Sequence, residues 1–136
     1  MASLLKVDAL TGVTTAGSIS VTGEGNSTTT NLQQGLAKVW CLLNGTSTIA
    51  ITDSFNISGA TDNGTGDYTT ITTNNFGNIT YACCATAGQN SGDQVSASNE
   101  GSARSTTAIR TQCLRSTSDS FLDCTFVETI RMGDLA

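Results

Sequence analysis

From Leu36 onward the chain is cut into short segments rich in β-branched and aromatic residues, and this segmentation limits the fold more than any other feature. The segments are LAKVWCLL (36–43), STIAIT (47–52), SFNISG (54–59), DYTTITT (67–73), NITYACCAT (78–86), TTAIRTQCLR (106–115) and FLDCTFVETIR (121–131). Threonine, valine and isoleucine suit a pleated, half-buried surface, while the Asn, Gly, Ser and Asp between the segments supply turns. Short runs of this kind separated by turn residues predict an all-β domain, a β-sandwich or jelly-roll-like fold over residues 36–136.

The alternation within two segments predicts which side chains turn inward. In 36–43, Val39, Cys41 and Leu43 alternate with Lys38, Trp40 and Leu42, so both faces are apolar enough for a buried strand. In 121–131, Leu122, Cys124, Phe126 and Ile130 share one parity, interrupted by Glu128, and this parity is the expected buried face. Asn44-Gly45 is the dipeptide favoured in two-residue type I′ hairpins. Ala87 to Ser105 contains Val95 as its only large aliphatic residue and is expected to be a long exposed loop.

Residues 1–35 differ. LLKVDAL and SISVT are followed by GEGNSTTTNLQQG, with too few large apolar side chains for a separate core. They are read as an extended N-terminal docking arm whose ordering depends on neighbours. The opening MASLLKVDALTGV lacks a basic leader, and its apolar run is broken by Lys6 and Asp8, so neither a secretory signal nor a membrane span is expected. Without a signal, the five cysteines are read as reduced thiols, with Cys83, Cys113 and Cys124 as small buried hydrophobes. Asn26, Asn44, Asn56, Asn63 and Asn78 each begin an Asn-x-Ser/Thr triplet, attributed to the abundance of these residues rather than to glycosylation.

Charge and chemistry exclude several classes. The net charge is −5 and the six basic residues are dispersed, which disfavours nucleic acid and anionic membranes, both of which need clustered cations. Histidine is absent, removing the commonest general base and neutral metal ligand. The cysteines lack Cys-x-x-Cys spacing, and adjacent Cys83 and Cys84 point to opposite faces of a strand. No Gly-x-Ser-x-Gly elbow occurs, and GEGNSTT lacks the Gly-Lys-Ser/Thr ending of a phosphate loop. The carboxylate pairs Asp62/Asp67 and Asp119/Asp123 lie at turns or strand starts, where Asp is expected anyway. No catalytic residue, cofactor or metal is therefore assigned. TDNGTGDYT (61–69) is read as a hairpin connection, with Asp62 capping the turn and Asn63-Gly64 supplying positive φ; a cation loop is the competing reading, against which the EF-hand ligand order is missing.

AKVW (37–40), NGT (44–46), DSFNIS (53–58), TDNGTGDYT (61–69) and NITYA (78–82) together resemble a module of tail-fibre-like and virion structural proteins of marine bacteriophages. MASLLKVDAL is similar to the start of such proteins. The likeness covers the first half of the chain well and the second half loosely; the paired cysteines at 83–84 and those at 113 and 124 depart from it. It implies a non-enzymatic virion protein, assembled in the host cytoplasm and exposed on the particle as a homotrimeric fibre or tail-tip subunit. The arm would join other virion proteins. The alternatives are a capsid decoration (cement) protein of the phage head, and a glycan-binding module in which Trp40, Tyr68 or Tyr81 stacks on a host surface sugar.

Overall fold

The computed structural model describes residues 4–12, 19–22, 29–89 and 92–136. The chain divides into two units, residues 1–36 and 37–136. In the first, strands β1 (Ser20–Thr22) and β2 (Thr29–Asn31) pair antiparallel, and the Leu32 amide donates to the Ile19 carbonyl at 2.9 Å. Leu4, Leu5, Val7, Leu10 and Val21 are all exposed. GEGNST, at 23–28, lies outside the described residues.

The second unit is all-β. Its strands are β3 (Val39–Asn44), β4 (Ala50–Phe55), β5 (Ile57–Gly64), β6 (Asp67–Thr72), β7 (Ala82–Gly88), β8 (Val95–Asn99), β9 (Ala108–Arg115), β10 (Ser120–Phe121) and β11 (Phe126–Met132). Antiparallel pairing gives a four-stranded sheet, β4-β3-β11-β7, and a five-stranded sheet, β10-β9-β6-β5, with β8 also pairing β9. The two sheets enclose a shared core, the expected sandwich. Asn56 carries the chain from one sheet to the other. It adopts φ +59°, its side-chain amide donates to the Lys38 and Asn74 carbonyls, and its Oδ1 accepts from the Asn74 amide at 2.7 Å. Asparagine tolerates this left-handed conformation better than most residues.

The interior is built from alternate positions. Val39, Cys41 and Leu43 of β3 and Val127, Thr129 and Arg131 of β11 are buried, as are Tyr68, Thr70 and Thr72 of β6 and Ile109, Thr111 and Cys113 of β9. One apolar cluster joins Cys41, Leu43, Tyr68, Cys113, Cys124 and Val127; the other joins Val39, Phe76, Tyr81 and Ile109. Many of these side chains are small, so the core has a modest apolar volume for the area it spans. Two glycines are required by close packing. The Tyr68 phenol occupies the space a side chain at Gly45 would need. At Gly66 (φ +65°) a Cβ would lie 2.6 Å from the Cys113 carbonyl oxygen.

Four expectations need correction. The buried face of β11 is Val127, Thr129 and Arg131, while Phe126, Glu128 and Ile130 face outward. The strand begins only at Phe126, so the phase set by buried Cys124 does not carry into it. Ala87–Ser105 is not one long loop: β7 continues to Gly88, β8 follows, and a 3₁₀ turn spans Gly101–Ala103. Val95 and Ala97 suffice to anchor β8 against the first cluster because Ala97 sits opposite Cys113. Asn44-Gly45 does not form a two-residue turn. The connection runs to Ala50 and places its positive φ at Ser47, while Asn44 Oδ1 accepts from the Thr46 amide and hydroxyl at 2.9 and 2.7 Å. Finally, Asn78–Tyr81 precedes β7 instead of extending it. Asn78 repeats the same device, accepting from the Thr80 amide and hydroxyl. These two Asn-x-Thr triplets are local turns in which the side-chain oxygen replaces a backbone acceptor.

Candidate association surface

Filling the interior with Val39, Cys41 and Leu43 forces Trp40 and Leu42 to the opposite side of β3. The outward face of the four-stranded sheet then carries a row across all four strands: Phe55, Trp40, Ile130 and Cys84, each in register with the next. Phe55 is 53% exposed, Ile130 43% and Trp40 37%. Phe126 and Met132, also outward on β11, extend this apolar surface along the strand, and the Phe126 ring sits over Gly88. The adjacent row is Asp53, Leu42, Glu128 and Thr86, where the Thr86 hydroxyl donates to Glu128 Oε2 at 2.8 Å. Cys84, Thr86, Glu128 and Ile130 line a shallow hollow of about 210 Å³. A contiguous face of large apolar side chains with a polar margin is how proteins present an association site.

The outward face of the five-stranded sheet has a polar centre. Arg110 grips Asp67 with two donors, Nε to Oδ1 at 2.7 Å and Nη2 to Oδ2. Asn63 and Gln112 also donate to Asp67, at 3.2 and 3.4 Å, and Arg110 Nη1 lies 3.1 Å from Glu100 Oε2. The Arg110 guanidinium, chiefly by hydrogen bonding, holds the Asp67 carboxyl below its ordinary value. Ile71 and Phe121 are exposed in the same sheet.

This geometry decides how TDNGTGDYT is used. β5 and β6 are joined through Thr65 and Gly66, with Gly64 (φ +131°) and Gly66 (φ +65°) taking the conformations that other residues avoid. Asp62 Oδ1 accepts from the Gly64 amide at 2.8 Å, as a turn cap does, and Asp67 is committed to Arg110. Among the described residues, no group of three or more His, Cys, Asp or Glu is placed to hold a metal ion.

The three aromatic candidates part company. Trp40 lies on the outward face. Tyr68 is 1% exposed, and its hydroxyl donates to Asp123 Oδ1 at 3.0 Å; the Gly66 amide donates to the same oxygen at 2.7 Å. Tyr81 is 3% exposed, stacks on Phe76 with centroids 4.2 Å apart, lies under the Arg104 guanidinium, and donates to the Ser105 carbonyl at 2.9 Å. Neither tyrosine offers a ring face to a ligand. Cys113 and Cys124 are buried, Cys83 is half-buried, Cys84 is exposed, and all five thiols are free. Phe55, Phe126, Ile130 and Met132 were not singled out from sequence as surface residues. The parity of segment 121–131 assigns Phe126 and Ile130 to the interior, and Phe55 and Met132 fall outside the alternation read from sequence.

Among the described residues no helix is long and apolar enough to cross a membrane. No family model matches the chain, and no curated protein or solved structure shows a significant likeness to it.

Proposed function

We propose that this protein is a non-enzymatic structural subunit that associates with copies of itself through the outward face of the four-stranded sheet. The Phe55–Trp40–Ile130 row carries the reading. Its side chains are large and adjacent, and in a closed threefold ring three copies can turn this face toward the common axis, each packing against its neighbours. Burying it would add roughly 25 cal/mol per Å² to a domain whose own core is thin. The exposed Leu4, Leu5, Val7 and Leu10 of the first unit provide a separate apolar segment for docking.

The resemblance to bacteriophage modules supports reading this subunit as a virion protein, a trimeric fibre or tail-tip subunit held by residues 1–35. The test is the particle itself. Mass spectrometry of purified particles should find the chain, and image reconstruction should show it in threefold-symmetric density at a few to a few dozen copies. A chain lacking residues 1–35 should be missing from them. Absence of the full chain from purified particles, or full occupancy by the truncated chain, would overturn the virion assignment or the docking role respectively; hundreds of copies on the head would make it a decoration protein.

A further inference from the structure

Arg131 is the largest fully buried side chain of the second unit, at 0% exposure, and it stands between the sheets. Its Nη2 donates to Thr70 Oγ1 on the opposite sheet. Its Nε and Nη1, and the neighbouring Thr129 hydroxyl, are buried with no hydrogen-bond partner among the described residues. Thr129 and Arg131 are two positions apart on β11 and project from the same face. These unanswered groups therefore share the interior face of β11.

The charge is unanswered too. Arginine stays protonated in proteins, and none of the ion pairs among the described residues involves Arg131. The groups that face it are Thr70, Tyr81, Cys41 and Cys83, and the Cys83 thiol, a weak and neutral acceptor, is in hydrogen-bonding reach of the guanidinium. Burial pushes both thiols and the phenol upward, so all three are neutral at physiological pH. A buried cation without a counter-charge is costly, and one with an anion on its free donors is not. A position enclosed between two packed sheets favours a small, monatomic anion over a polyatomic one.

We propose that the sandwich contains an internal halide site, occupied by chloride, in which Arg131 Nε–H, Arg131 Nη1–H and the Thr129 hydroxyl are the donors. The ion would join the two sheets through Arg131 and Thr70, acting as a structural ligand of the folded state.

The test uses the full chain and halide salts as probes. Thermal unfolding in sodium chloride or bromide, at ionic strength held constant with sodium gluconate, should show a Tm that rises with halide concentration. Once the site is saturated in the folded state, each further tenfold increase in halide should add about 5–10 °C. Arg131→Met should remove the dependence, and Thr129→Val, a milder change that keeps the side-chain shape, should weaken it. A crystal grown in bromide should give an anomalous peak within about 3.5 Å of the Arg131 guanidinium. A wild-type Tm that does not respond to halide, a response unchanged in Thr129→Val, or a bromide map without that peak would overturn the site.

Discussion

The outward faces of the two sheets make an instructive contrast. Both back onto the same core and are built from antiparallel strands of similar length. One places Phe55, Trp40 and Ile130 side by side; the other has at its centre a carboxylate gripped by arginine, with Asn63, Gln112 and Glu100 around it. The core therefore does not dictate what the outside carries. A sheet whose outer face must meet only water can spend its positions on threonine and ion pairs. A sheet that keeps tryptophan, phenylalanine and isoleucine half exposed is shaped for a surface yet to arrive.

The sharpest way to break this contrast is to charge the apolar row. Trp40→Arg with Ile130→Arg should weaken self-association a thousandfold or more, about 4 kcal/mol, as loss of central interface anchors does. The circular dichroism of the sandwich should be retained. Ser98→Arg, on the exposed side of β8 in the other sheet, should leave association unchanged; equal effects of the two changes would erase the distinction between faces. A smaller effect should appear at Cys84, which borders Ile130. Its alkylation by a maleimide should be about tenfold slower in the wild-type assembly than in the charged variant, in line with burial at an interface rim. Equal rates would move the interface elsewhere.

Two further changes probe the sandwich from within and from its polar side. Tyr68→Phe removes a buried hydroxyl bonded to Asp123. It should cost about 1 kcal/mol in denaturant unfolding, without altering association. Asp67→Asn should lower Tm by a few degrees at neutral pH. Because the folded-state carboxyl of Asp67 titrates below its ordinary value of 3.8, its contribution is complete above that value and lost as pH falls through the folded pKa. The variant's melting profile should accordingly be flatter than that of the wild type in this acid range. A parallel pair of profiles would show that the Arg110–Asp67 pair adds nothing.

Much of the fold was legible in the residues. DYTTITT and TTAIRTQCLR became β6 and β9 nearly as written, because β-branched alternation between turn residues has few other outlets. The turn reading of 61–69 held in part: Asp62 caps the Gly64 amide, but positive φ falls at Gly64 and Gly66 instead of Asn63-Gly64, and the strands join through Thr65 and Gly66. What stayed hidden depends on tertiary context. In 121–131, residues 122–125 are outside a strand, so the period-two count crossed a break and named Phe126 and Ile130 as interior. The true interior position, Arg131, is one that hydrophobicity alone would never select. β8 was missed because Val95 and Ala97 are enough to hold a strand once Cys113 is opposite, a fact visible only in the folded register. On β3 the association surface was concealed by a different ambiguity: with both parities of 36–43 apolar, sequence cannot tell which one the core will claim.

Sedimentation equilibrium of the intact chain at tens of micromolar bears most directly on the claim that the tryptophan-bearing face joins copies of this protein. Three chain masses are expected for the wild type and one for the Trp40→Arg, Ile130→Arg variant. A wild-type chain that sediments as a single copy at the highest concentration reached would contradict it.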